Sequence, residues 1–148
     1  MLPNLRLVPA DKVNMRSSKA VIHVIDDDKL ARHSLAALLA AAQFNVRSYE
    51  SAIAFLTDLP KIEFGCIVTD LYMPFVDGIE LIRRLRAGGE SAPVIVMSGR
   101  GDLSLALKAM RAGAIDFLEK PVDGDELIAW VRSTLVYQNA TSTYGSPG

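Results

Sequence analysis

Cysteine is almost absent from this sequence. Its 148 residues hold one, Cys66, which excludes an internal disulfide framework and any cysteine-based zinc site. Histidine is nearly as scarce: His23 falls in an apolar run and His33 in a helix-period segment, so structural roles are expected for both rather than metal binding. Neither sign of charge prevails. Sixteen basic residues face 17 acidic ones, a formal net charge of −1, so there is no basic field to drive nucleic-acid binding by this chain alone. No apolar run approaches the roughly 18 residues that would suggest a membrane span; the longest is Leu35 to Ala42. No apolar stretch follows a basic start, so a secretory leader is not expected. Long disorder is not expected either, because half the residues are hydrophobic. One domain of this length can bury about 70% of the surface of its unfolded chain. The expectation is a compact, cytoplasmic domain with no membrane contact.

Residues 1–18 show no sustained period and are read as a flexible extension, with Met15 as an alternative start. Residues 138–148 are rich in Ser, Thr, Gly and Pro and are read as a polar tail or the start of a linker. Between them, residues 19–137 alternate short apolar runs with helix-period segments. Val21–Ile25 is continuous and rich in β-branched residues, as a strand buried on both faces should be. Leu35, Leu38, Leu39 and Ala42 then repeat at helical spacing. Strands are expected again at 45–49, 66–69, 94–97 and 115–118. Ser51 is placed to cap a short helix, Gly88-Gly89 and Gly113 to end helices, and Asp123 with Glu126 to open the last one. Strict β–α alternation predicts a doubly wound parallel sheet covered on both faces, with the five-stranded order 2-1-3-4-5 favoured. Ligands then bind beyond the carboxyl ends of the strands, where the order switches between the first and third.

Polar residues fall at those ends. The first strand runs into Asp26, Asp27 and Asp28, the third into Asp70, the fourth into Ser98 and the fifth into Lys120 before Pro121. Two carboxylates about 4 Å apart repel by roughly 4 kcal/mol at an effective dielectric of 20. Protonation is one remedy; a hard divalent cation is the other, and an all-oxygen donor set suits Mg²⁺, with Mn²⁺ as a substitute. An ammonium beside such a site implies a visiting anion. Together they point to phosphoryl transfer with a carboxylate as nucleophile. Asp28 is also suited to the N-terminus of the helix it precedes.

The segments Val24-Ile-Asp-Asp-Asp28, Val68-Thr-Asp-Leu-Tyr-Met-Pro74 with Asp77-Gly78, Val96-Met-Ser-Gly99 and Ala112-Gly-Ala-Ile-Asp-Phe-Leu-Glu-Lys-Pro121 together resemble the receiver domain of two-component response regulators. Gly101-Asp102 and Ala109 to Pro121 resemble the FixJ-type members most. The likeness spans about residues 20–137, and the flavodoxin-like receiver fold follows from it. The resemblance implies that Asp70 accepts a phosphoryl group from a sensor histidine kinase. Asp26 and Asp27 would hold Mg²⁺ with Asp70 and the backbone carbonyl of Tyr72. Lys120 would contact the phosphoryl group, and Ser98 and Phe117 would be the two switch residues. The Lys120–Pro121 bond is often cis in this family. The surface of the fourth helix, fifth strand and fifth helix would switch, as a homodimer or partner face, with Lys108, Arg111, Asp116 and Glu119 as candidates. Tyr72 and Arg100, two positions after Asp70 and Ser98, are expected to slow hydrolysis of an aspartyl phosphate.

Such a module is no enzyme beyond assisting its own phosphorylation and dephosphorylation. Nothing resembles a recognition helix with a basic face, so control of transcription would need an output domain absent from this chain. A stand-alone regulator or phosphorelay intermediate is the alternative. A phosphatase of the haloacid-dehalogenase type, with its nucleophile within Asp26 to Asp28, is less favoured, and a flavin-binding domain less still, because no Ser/Thr-rich phosphate loop follows the first strand. The Arg100-Gly101-Asp102 tripeptide and the Asn139-Ala-Thr141 sequon are taken as coincidences.

Overall fold

The computed structural model describes residues 20–59, 65–99 and 101–144. The extension at 1–18 and the last four residues of the expected tail lie outside them. The elements run β1 (Val21–Ile25), α1 (Lys29–Ala41), β2 (Asn45–Tyr49), α2 (Ala52–Thr57), β3 (Gly65–Asp70), α3 (Gly78–Ala87), β4 (Val94–Ser98), α4 (Leu103–Ala112), β5 (Asp116–Glu119) and α5 (Gly124–Tyr144). All strand pairs are parallel, in the order β2-β1-β3-β4-β5. This is the doubly wound, flavodoxin-like arrangement that the alternation of elements predicts.

Alternation of side chains along each strand divides the core in two. Ile22, Val24, Cys66, Val68, Ile95 and Met97 pack under Leu39 of α1 and Leu127, Val131 and Leu135 of α5. Ile25, Ile67, Val94 and Val96 pack under Phe55 of α2, Ile79, Ile82 and Leu85 of α3, and Ala109 of α4. Every residue of central β3 is buried, whereas edge strand β2 is half open to solvent. Each fully buried Leu or Ile contributes about 1.5–3 kcal/mol, so these two layers fix which face of the sheet each strand residue takes. Cys66 is free and fully buried, and burial pushes its thiol up to about 12; it is a small hydrophobe here.

Two sequence expectations shift. Helix α5 does not stop at Tyr137 but continues to Tyr144. The composition of 138–144 disfavours a helix only weakly, and the first strong breaker is Gly145. Gln138, expected to begin the tail, accepts a hydrogen bond from the Gly65 amide at 3.3 Å and ties α5 to the start of β3. The fifth strand begins at Asp116 rather than Ile115: Ile115 is exposed and its amide bonds the Val94 carbonyl at the entry to the sheet.

Candidate functional site

Chain turns at the carboxyl ends of β1, β3 and β5 bring the charged residues together. After β1, the Asp26 Oδ1 accepts from the Asp28 amide at 2.9 Å, and Asp28 in turn caps α1 by accepting from the Leu30 amide at 3.1 Å. This tight turn buries Asp26 completely and leaves Asp27 exposed. Asp70 ends β3, 7% exposed. The chain then turns back so that the Gly78 amide bonds the Leu71 carbonyl at 2.9 Å. A Cβ at Gly78 would lie 2.7 Å from the Asp70 carbonyl oxygen, so only glycine allows α3 to start this close to the end of β3. The Lys120 amide donates to the Ser98 carbonyl at 2.7 Å, which ties the end of β5 to β4. The Lys120–Pro121 bond is cis.

The result is one cluster. Carboxylate oxygens of Asp26, Asp27 and Asp70 all lie within 4.8 Å of one another. Lys120 Nζ donates to Asp70 Oδ2 at 3.0 Å and stands 3.7 Å from Asp26 Oδ2. Burial, then the neighbouring charges of Asp70 and Asp27, push the Asp26 carboxyl above its usual range, against the backbone hydrogen bond and Lys120, which work the other way. For Lys120 burial pulls down, but the hydrogen bond to Asp70 and the charges of both aspartates outweigh it and hold the ammonium above its ordinary value.

Asp26 Oδ2 is buried and has no hydrogen-bond partner among the described residues. A buried carboxylate oxygen in that position costs free energy unless a cation meets it. Lys120 at 3.7 Å meets it only in part. Three carboxylates are a hard oxygen donor set matched to a small divalent ion, so the residues fit Mg²⁺.

The switch candidates take different positions. Ser98, at the end of β4, is 2% exposed. Phe117, on β5, is half-buried against the α3–α4 side of the core. Tyr72 is exposed, and its hydroxyl donates to Asp102 Oδ1 at 3.3 Å. Arg100 lies outside the described residues. Lys108, Arg111 and Glu119 are exposed; Asp116 is half-buried, its carboxylate accepting from the Phe117 amide at 2.7 Å. Two participants escape sequence reasoning. One is Asp102, reached only because the turn after β4 brings it to Tyr72. The other is Phe75, 96% exposed with a φ of 69°; its place after Met73-Pro74 shows the turn but not its handedness.

The family model for the response regulator receiver domain matches residues 22–132. The chain belongs to the response regulator receiver family. It is 47% identical over 119 residues to the transcriptional regulatory protein FixJ of Bradyrhizobium diazoefficiens, covering 80% of this chain and 58% of that protein. It is 50% identical over 114 residues to the FixJ of Azorhizobium caulinodans, covering 77% and 54%. Among solved structures, full-length FixJ from B. japonicum superposes with a TM-score of 0.78 at 45% identity, covering 84% of this chain and 62% of that one. The chain thus spans little more than half the length of these curated relatives. Membership in the receiver family also displaces the phosphatase alternative. Asp28, which that mechanism would place beside the nucleophile, is turned away as the cap of α1. No described helix is long and apolar enough to cross a membrane.

Proposed function

We propose that this receiver domain takes a phosphoryl group from a phosphohistidine of a sensor histidine kinase onto Asp70. One observation carries the proposal: three carboxylates gathered within 4.8 Å, with a lysine ammonium 3.0 Å from the one that ends β3. Lys120 occupies Asp70 Oδ2, and no hydrogen bond among the described residues occupies Oδ1, which is the oxygen to attack. The new bond joins Oδ1 to phosphorus as the histidine nitrogen–phosphorus bond breaks, and the electron pair leaves with the imidazole. Asp26, Asp27, Asp70 and the backbone carbonyl of Tyr72 would hold Mg²⁺, which when bound neutralises charge on the phosphoryl oxygens. Lys120 pairs with another of those oxygens, and Ser98 donates to a third.

The transferred group adds a charge of about −1.5 to −2 and three acceptor oxygens. Ser98 gains a partner in the phosphorylated state alone, so the equilibrium of the β4–α4 turn shifts. Phe117 turns further inward, and the α4-β5-α5 surface changes shape for a homodimer or a partner. The likeness to FixJ favours a cytoplasmic regulator that controls transcription through an output domain outside this chain; a stand-alone regulator or relay intermediate is the second reading. Tyr72 and Arg100, two positions after Asp70 and Ser98, slow the loss of the acyl phosphate. Replacing either with alanine is expected to shorten the phosphate lifetime, timed by release of label.

Acetyl phosphate with Mg²⁺, followed by intact mass, tests the proposal. A single phosphate adduct is expected in the wild type and none in Asp70→Asn. An adduct that persists in Asp70→Asn would overturn it, as would turnover of a phosphomonoester dependent on Asp26.

A further inference from the structure

Five helices are described, and each is preceded by a residue whose side chain can accept hydrogen bonds from the first turn. Four of them do so. Asp28 accepts from Leu30, Ser51 from Ala54 at 2.9 Å, Asp77 from Glu80 at 2.8 Å, and Asp123 from Asp125 and Glu126 at 2.9 and 3.2 Å. Helix α4 is the exception. Its N-cap residue, Asp102, makes no side-chain cap bond. Its backbone is also unlike a cap: ψ is 34°, where Asp28, Ser51 and Asp77 take extended values from 113° to 178°. The carboxylate is committed elsewhere. Oδ1 accepts from the Tyr72 hydroxyl at 3.3 Å, and Oδ2 lies 3.0 Å from where a Cβ of Gly99 would stand. It is therefore folded back over the β4–α4 turn and held by the turn that follows Asp70.

We propose that Tyr72 and Asp102 form a strap that holds α4 without its cap, and that a phosphoryl group on Asp70 releases the strap so that Asp102 caps the helix. The coupling rests on the phosphoacceptor function proposed above; the strap itself does not. Two alternatives compete for one carboxylate. A solvent-exposed hydroxyl–carboxylate hydrogen bond and an aspartate N-cap each shift an equilibrium by about fivefold, so the two arrangements lie close in free energy and a local charge can choose between them. The phosphoryl group does so in two ways. Its oxygens compete for the Tyr72 hydroxyl, and its charge repels the Asp102 carboxylate. The carboxylate then moves to the orphan amides of the first turn of α4, where the helix presents about half a positive charge. No bond is made or broken covalently; one hydrogen bond is exchanged for another. The exchange connects Asp70 to α4 by a path that uses neither Ser98 nor Phe117, and it predicts that α4 tightens at its first turn when the domain is phosphorylated.

Amide hydrogen exchange at Ser104 and Leu105 tests this in the whole chain. Tyr72→Phe keeps the ring and removes the donor. In that variant, without any ligand, protection of the Leu105 amide is expected to rise about fivefold over wild type, toward the level wild type reaches with Mg²⁺ and beryllofluoride, a stable mimic of the acyl phosphate. Asp102→Ala has neither strap nor cap and is expected to show no rise in either condition. Equal exchange in unliganded wild type and Tyr72→Phe would overturn the strap. A wild type that binds beryllofluoride, seen as a bound fluorine resonance, yet shows no added protection at Leu105 would overturn the coupling while leaving the receiver function intact. Absence of the bound resonance removes the receiver function and the coupling together; the unliganded comparison still decides the strap.

Discussion

Strand β1 and the turn that follows it bury two ionisable side chains three residues apart and treat them in opposite ways. His23, in the middle of the strand, is 2% exposed and walled by aromatics: its ring centroid is 6.0 Å from Tyr49 and 5.4 Å from Phe55, and Nδ1 lies 3.4 Å from the Tyr49 hydroxyl. Burial, reinforced by the nearby charge of Arg47 and opposed by Asp58, lowers its pKa to about 4. Asp26, past the end of the strand, is fully buried but stands among charges, beside Lys120 and two other carboxylates. In the middle of the sheet, burial enforces neutrality, and the histidine serves as a polar aromatic filling the space under α2. At the rim, burial falls on a carboxyl crowded by two others, and the unfavourable energy is one that a bound cation would relieve. The same fold thus stores stability along the strands and gives some of it up where they end.

The largest test of that contrast is acid. The folded state excludes a proton from His23 that the unfolded chain, with a pKa near 6.5, takes up. The contribution is intact above pH 6.5 and is lost as the pH falls toward 4. The full loss is about 3 kcal/mol, of which about 2 kcal/mol falls between pH 7 and 5. Urea unfolding of the wild type and His23→Leu at both pH values isolates it, since the carboxylates are common to both proteins. The wild type should lose about 2 kcal/mol more than the variant. Parallel losses would mean that His23 is not held neutral.

Asp26 should respond with the opposite sign. Asp26→Asn keeps an acceptor for the Asp28 amide, removes repulsion with Asp27 and Asp70, and gives the buried position an NH₂ that can donate to those carboxylates. Without metal the variant is expected to be more stable than the wild type by about 1–2 kcal/mol. Mg²⁺ should narrow the gap, because binding at ten times its Kd stabilises the wild type by about 1.4 kcal/mol and the variant has lost a ligand. Thermal unfolding with and without Mg²⁺ reads both effects. A destabilised Asp26→Asn would show that Lys120 alone compensates the charge.

How much of this was legible in the sequence follows from the same physics. The fold was, because a parallel sheet buried on both faces demands continuous apolar strands and helical stripes, and Val21–Ile25 and Leu35–Ala42 carry those patterns openly. The rim cluster was legible too, since topology alone sends the residues after β1, β3 and β5 to one edge; Asp26, Asp27, Asp70 and Lys120 could be named from where runs of apolar residues stop. What stayed hidden depends on side-chain direction across space. Nothing in the spacing of Tyr72 and Asp102 says that they meet. The continuation of α5 through Tyr144 was hidden for another reason: Ser, Thr and Asn weaken a helix only slightly, and Gln138 is held by its bond to Gly65.

The contrast between strand and rim extends to the backbone. Phe75, in the turn between Asp70 and α3, has a φ of 69°. A bulky side chain in the left-handed region costs about 1–2 kcal/mol, and with 96% of its surface exposed this phenylalanine recovers almost nothing by packing. Glycine would adopt the same turn without the Cβ clash, at an entropic cost of about 0.5–1 kcal/mol in the unfolded chain. Phe75→Gly is therefore expected to stabilise the domain by about 0.5–1 kcal/mol, the smallest effect considered. Phe75→Ala retains the Cβ and should gain little, which separates backbone strain from loss of the ring. Urea midpoints at constant m-value decide between them. If glycine and alanine give the same stability, the turn relaxes readily around a Cβ and the rim holds no backbone strain at this position, leaving Asp26 as its main reservoir.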